Sequence, residues 1–153
     1  MKETIEKFYN ALDNLDAETM VSCYHDDVTF EDPAFGRLHG ERAKNMWRML
    51  CKSQDGKHDN GFKAKCSQVT DHSAFVQAEY TFTKTGRHVH NKIHAKFEFK
   101  DGLIIKQTDH FDLHRWARQA LDFSGAVLGW SGYFKKKLQQ TTNRMLDKFE
   151  KHQ

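Results

Sequence analysis

Along the first stretch of the chain Ile5, Phe8, Leu12 and Leu15 recur three or four positions apart, the spacing that lines one side of an α-helix. An amphipathic helix is therefore predicted over residues 2–14. Asp16 can accept hydrogen bonds from free backbone N–H groups and start a second helix, "AETMVSCYHD", whose apolar side carries Met20, Val21 and Tyr24. A short strand, "DVTFED", follows. Its alternation turns Val28, Phe30 and Asp32 one way and Thr29 and Glu31 the other. "HGERAKNMWRMLCKSQ" reads as a third helix with Ala43, Met46, Trp47 and Leu50 inward. After the polar loop "SQDGKHDNG" the period changes from helical to twofold. Four long strands are expected at 62–70, 73–84, 89–100 and 103–113. Asp101-Gly102 is the strongest hairpin signal among their connections, because both central residues of such a turn take positive φ.

Helices gathered ahead of a hairpin-linked sheet imply an α+β domain, three helices packed on one face of a mostly antiparallel sheet. Residues 1–114 form that domain and residues 115–153 a C-terminal helical extension. In the extension Phe134, Leu138, Met145, Leu146 and Phe149 make a narrow apolar stripe on a helix that Ser131 could cap. Three readings of this tail stay open. Trp116, Leu121, Phe123, Val127, Leu128 and Trp130 can close a pocket mouth or pack on the domain flank. The stripe can pair with a partner subunit. Least favoured, "GYFKKK" can touch a membrane.

Composition narrows the function classes. A chain of 153 residues, 38% hydrophobic and with 12 Phe, is one globular domain. The net charge of +3 is uneven, residues 115–153 holding eight Lys and Arg against three acids. The rest is slightly acidic, so a domain-wide nucleic-acid footprint is not expected. Cys23, Cys51 and Cys66 show no metal or redox spacing and read as reduced thiols. The acidic "MKETIEKFYNALDNLD" is unlike a signal peptide, and no stretch approaches the ~18 apolar residues of a membrane span. A cytoplasmic protein is the expectation.

The element order, with "YHDDVTFEDPAFG" after two helices, resembles the SnoaL-like group of the nuclear transport factor two-like superfamily, over about residues 4–114. Ketosteroid isomerase and limonene epoxide hydrolase are relatives. "DHFDLHRWARQAL" with "GW" downstream resembles a bacterial subfamily of unassigned activity. The resemblance implies a cone, a curved sheet wrapped around helices with an apolar pocket at its wide end. It also implies a homodimer through the outer sheet face, here carrying His94, Lys96, Glu98 and His110.

Two carboxylates emerge as catalytic candidates. Ketosteroid isomerase places a general base where Asp32 stands, in a similar "EDP" context. Independently of that match, Asp32 follows Val28 and Phe30 inward, and partial desolvation there would raise its pKa toward a working base. Against this, Asp is common before Pro in strand-end turns, and Pro33 is the only proline. The isomerase's phenol donor aligns with Phe8 and its second Asp near Ala95, while Tyr9 lies about 100° round the helix. Steroid isomerisation is therefore not expected.

The second carboxylate is Asp109, which alternation groups with Leu103, Ile105, Gln107 and Phe111. Limonene epoxide hydrolase carries a catalytic Asp at the matching position. Its Arg and partner Asp fall where this chain reads "FVQAEYTFT", so the Asp–Arg–Asp set is broken. What remains is an Asp32/Asp109 acid–base pair facing one cavity. Phe8, Leu12, Tyr24, Phe30, Trp47, Leu50, Gln107 and Phe111 would line a site for a small hydrophobic molecule. On an equal footing, Asp109 could simply bond backbone N–H groups near "HFDLH". A non-catalytic binding or dimerisation module is the alternative function. No metal or other cofactor is expected. "HFDLH" has Phe111 where a zinc protease carries Glu, and Lys92 and Lys96 break up the His88/His90/His94 face. There is no GxSxG, and no phosphate-binding glycine loop.

Overall fold

The computed structural model describes residues 1–55, 61–121 and 132–153. Helix α1 (Lys2–Asp13) buries Ile5, Phe8, Tyr9, Ala11 and Leu12. Its buried arc is wider than the Ile5/Phe8/Leu12 stripe and takes in Tyr9; Leu15 lies past the helix end at φ 55°. Helix α2 (Ala17–Ser22) opens on Asp16, whose side chain accepts from the Thr19 N–H at 3.1 Å and its hydroxyl at 2.6 Å.

The second helix was expected to run to Asp26, but it stops at Ser22. Tyr24 instead begins strand β1 (Tyr24–Asp32), paired with Ile104, while the Cys23 carbonyl accepts from Ile104 N–H at 2.8 Å. Sheet pairing outweighs the weak helical continuation of "CYHD". Strand β2 (Gly36–His39) folds back on β1 as a hairpin. Its four residues are too few for alternation to reveal. Helix α3 (Glu41–Gln54) follows, then β3 (Lys63–Ser67), β4 (Ser73–Phe82), β5 (Arg87–Lys100) and β6 (Leu103–His110). The sheet order is β2-β1-β6-β5-β4-β3, antiparallel throughout except where β1 runs parallel to β6. Asp101 and Gly102 take φ of 53° and 78° in the β5–β6 hairpin, as that turn demands.

The phase of β6 differs from simple alternation. Phe99 pairs with Ile104 and Glu98 with Lys106, so Ile105 is an extra residue that bulges out of the ladder. Ile104, rather than Leu103 or Ile105, is therefore the buried residue at this end. Beyond the bulge Gln107 and Asp109 point inward, as expected.

Helix α4 (Leu113–Ala120), capped by Asp112, lays Trp116, Ala117 and Ala120 over Val89 of β5. Helix α5 (Gly132–Lys151) spans two apolar clusters. Phe134 and Leu138 join the Trp116 cluster, while Leu146, with no exposure, belongs to the main core beside Phe8 and Met46. Met145 is 47% exposed and so leaves the stripe. Phe123, Val127, Leu128, Trp130 and Ser131 lie outside the described residues. Since Leu146 fills core volume, Leu146→Ala should destabilise the fold by about 2–5 kcal/mol in urea unfolding. A loss below about 0.5 kcal/mol, typical of surface positions, would mean that α5 is not part of the cooperative unit.

Candidate active site

The parallel ladder of β1 and β6 pairs Phe30 with Gln107 and Glu31 with Thr108. One step further along the same register stand Asp32 and Asp109. Neighbouring strands lie about 4.8 Å apart, and both carboxylates point to the helix-covered side. On the other flank of β6, Asp109 faces Ala95 across the β5–β6 ladder. The position that aligned with the isomerase's second carboxylate is thus an alanine, with Asp109 supplied from the next strand.

A directed run of donors ends on Asp109. Trp47 Nε1 donates to Tyr24 OH at 2.8 Å, and Tyr24 OH donates to Gln107 Oε1 at 2.7 Å. Gln107 Nε2 donates to Asp109 Oδ1 at 3.1 Å and, at 3.5 Å, to Tyr9 OH. Because an indole can only donate, the Tyr24 proton must pass onward. The Gln107 amide is thereby fixed with its nitrogen toward Asp109. Oδ1 must accept, which leaves Oδ2 as the place for a proton. Aromatic packing holds this run in place. Phe8 stacks on Tyr24 at 5.4 Å and meets Trp47 edge-on at 5.4 Å; Phe30 meets Trp47 at 5.5 Å. Burial lifts the Asp109 carboxyl to about 7, with the Gln107 bond opposing and the Asp32 charge adding. Among the described residues Asp109 bonds no backbone N–H group, the expected alternative, and Asp112 takes the capping role nearby.

Asp32 is both turn and wall. Its Oδ1 accepts from Ala34 N at 2.9 Å and Phe35 N at 2.6 Å, closing the β1–β2 turn over Pro33. Burial nevertheless lifts its carboxyl to about 6, those two bonds holding it lower than burial alone would. Asp32 loses its proton first, so its charge is felt by Asp109 and not the reverse. Near it, Tyr80 OH accepts from Trp116 Nε1 at 2.8 Å, and its own proton has no acceptor among the described residues. Burial pushes this phenol to about 12, with the Asp32 charge contributing.

Oδ2 of Asp32, Oδ2 of Asp109 and the Asn91 side chain have no hydrogen bond among the described residues. Yet no fully enclosed side-chain nitrogen or oxygen there lacks a partner. Asp32 is half-buried, and Asp109 and Asn91 keep 6% and 8% of their surface exposed. Phe8, Phe30, Tyr24 and Gln107 are at most 3% exposed and form a packed floor, with Leu12 and Trp47 barely more open. Leu50 and Phe111 are half-buried, and Phe111 sits in the Trp116 cluster. Tyr9 and Tyr80 were not anticipated as part of this region; Tyr9 is legible as the i+4 member of the Ile5, Phe8, Tyr9, Leu12 arc.

Elsewhere the chemistry-bearing residues stay apart. His94 and His110 pair across β5 and β6 on the exposed face, and His90 reaches Gln77 at 3.0 Å. Among the described residues no three His, Cys, Asp or Glu gather as a ligand set. Burial raises all three thiols, Cys51 to about 11, which keeps them protonated.

The two raised carboxylates make stability depend on pH. Both sit above their ordinary value of 3.8, so from about pH 4 upward the folded chain binds more protons than the unfolded one. Stability should fall as pH rises to about 7 and then level off. In urea titrations at pH 5 and pH 8, Asp109→Asn should flatten this decline and be more stable than the natural protein at pH 8. An equal decline in both would contradict the burial of Asp109.

A family model described as a SnoaL-like domain matches residues 5–107, a span that contains Asp32 and stops two residues short of Asp109. Epoxide hydrolase EphG of Mycobacterium tuberculosis is 30% identical over 112 residues, covering 72% of each chain. Among solved structures, an epoxide hydrolase of M. tuberculosis related to limonene epoxide hydrolase superposes with a TM-score of 0.56. It is 24% identical and covers 83% of this chain and 89% of its own. Bal32a, from a soil-derived mobile gene cassette, gives 0.58 at 23% identity over 74% and 91%. The same curved sheet and helix order recur in both, and with the family match across two thirds of its length the chain belongs to the SnoaL-like domain family.

Proposed function

We propose that this chain is an acid–base enzyme acting on a small hydrophobic molecule held against Asp32 and Asp109. The observation that carries the reading is the pair of neighbouring carboxylates, Asp32 half-buried and Asp109 buried, lifted to about 6 and about 7. Two such groups whose environments separate their pKa values supply a base and an acid at the same pH. Between those values Asp32 is ionised and takes a proton, and Asp109 Oδ2 carries one to give. The surrounding apolar core favours an apolar substrate, and the Tyr80 hydroxyl, close enough to feel the Asp32 charge, would orient its polar end.

Hydrolytic ring opening is the reaction class favoured by the relative named as an epoxide hydrolase. Water would form its bond to a ring carbon while passing a proton to Asp32. The breaking C–O bond would leave an oxygen that takes the Asp109 proton, and the pair resets by moving one proton from Asp32 to Asp109. The inward positions of β4, Val76, Ala78 and Tyr80, hold no charge. The base role therefore falls to Asp32, in place of the broken Asp–Arg–Asp set.

The test is turnover of small apolar epoxides such as styrene oxide across pH 5–9, with native mass spectrometry for bound ligand. A narrow bell is expected, rising as Asp32 ionises and falling as Asp109 does. Asp32→Asn and Asp109→Asn should each lower kcat by about 100-fold or more. A ligand bound without turnover, with the same pH dependence in both variants, would overturn the acid–base reading in favour of a binding module.

A further inference from the structure

The turn that holds Asp32 is itself held from behind by α5. Three consecutive carbonyls, those of Pro33, Ala34 and Phe35, belong to the β1–β2 connection and have no ladder partner. Each accepts a hydrogen bond from one face of the C-terminal helix. Gln139 Nε2 donates to Pro33 O at 3.1 Å, Thr142 Oγ1 to Ala34 O at 2.8 Å, and Asn143 Nδ2 to Phe35 O at 2.8 Å. Positions i, i+3 and i+4 are the ones a helix presents side by side.

The single Thr142 hydroxyl proton has two carbonyls in reach, Ala34 O at 2.8 Å and Gln139 O of its own helix at 3.1 Å, and the turn carbonyl is the nearer; the Asn143 orientation is determined. Asn143 Oδ1 accepts from Arg42 Nη2 at 3.0 Å, and a guanidinium can only donate, so the Asn143 nitrogen must face Phe35. Arg42 also pairs with Asp147 at 2.9 Å and Glu150 at 3.1 Å, tying the same stretch of α5 to α3. The close fit extends to Gly36, where an added Cβ would come within 3.1 Å of the Gln139 amide. Leu146 anchors the helix in the core one turn further on.

The turn is thus clamped between two sets of bonds. Its N–H groups at Ala34 and Phe35 point to Asp32 Oδ1, and its carbonyls point to α5. Fixing the carbonyls fixes the peptide planes, and the planes aim the N–H groups. We propose that Gln139, Thr142 and Asn143 are positioning residues for Asp32: α5 sets the geometry and proton affinity of the candidate base through the Pro33–Phe35 turn. This inference deepens the acid–base reading of Asp32 and assigns a role to a segment outside the SnoaL-like match at residues 5–107.

Thr142→Val and Thr142→Ser separate this role from packing, since valine keeps the volume and loses the hydroxyl, while serine keeps the donor. The full chain, labelled with carboxyl-¹³C aspartate, is titrated by NMR without ligand, the Asp32 signal being assigned by its loss in Asp32→Asn. In Thr142→Val the turn's N–H groups lose their aim, and Asp32 should titrate higher by about half a pH unit. Amide exchange at Ala34 and Phe35 should quicken by about tenfold, while Thr142→Ser stays as the natural protein. Gln139→Leu serves as a second variant with the same expectation.

An unchanged or lowered Asp32 titration with unchanged exchange in both Thr142→Val and Gln139→Leu would overturn the proposal. So would a shift in Thr142→Ser equal to that in Thr142→Val. Because the readout is Asp32 itself in the free protein, a shifted titration without any catalytic pH dependence would sink the acid–base reading and leave the clamp standing.

Discussion

Everything at the candidate site follows from the parallel contact between β1 and β6. Among the described residues it is the one parallel pairing in the sheet, made between the first strand and the last, and it sets the end of β1 beside the end of β6. Two acids far apart in sequence become neighbours on an inner wall. Strand alternation then leaves them no freedom to point elsewhere, because Val28 and Phe30 on one strand and Ile104 and Gln107 on the other are needed in the core. Desolvation acts against ionisation of both carboxyls, and the Asp32 charge adds to the rise at Asp109.

Such an arrangement opposes stability at neutral pH, and the surrounding structure compensates without cancelling it. Asp32 is bonded through one oxygen and Asp109 through one oxygen, each leaving the other oxygen uncommitted. Two Trp–Tyr pairs bracket the site. Trp47 and Tyr24 drive a donor toward Asp109 through Gln107, while the bond from Trp116 leaves the Tyr80 proton near Asp32 without an acceptor among the described residues. Buried polar groups that are half satisfied are a liability in a purely structural core. Here each carboxylate keeps one oxygen without a bond among the described residues, which is what a reacting group needs.

The sequence made the sheet, α1, α3 and the inward direction of both carboxylates legible, because alternation and helical spacing are strong over long elements. It was silent where elements are short or the phase slips. Strand β2 is only four residues long, the end of α2 is decided by pairing to β6, and the bulge at Ile105 exchanges Ile105 for Ile104 in the core. Asp32 seemed to require a choice between turn residue and pocket wall. Its two oxygens let it be both. The contribution of α5 could not be read at all, since Gln139, Thr142 and Asn143 are polar positions beside an apolar stripe and their carbonyl partners lie more than 100 residues away.

The central claim is that Asp32 and Asp109 sense one another in a shared desolvated wall. The most direct measurement is the Asp109 carboxyl titration by ¹³C NMR in the natural protein and in Asp32→Asn. The account predicts a midpoint near 7 in the natural protein. In Asp32→Asn that midpoint should fall, once the neighbouring charge is gone, yet stay above the ordinary carboxylate range because burial persists. A midpoint near the ordinary 3.8, or one indifferent to the loss of Asp32, would contradict it.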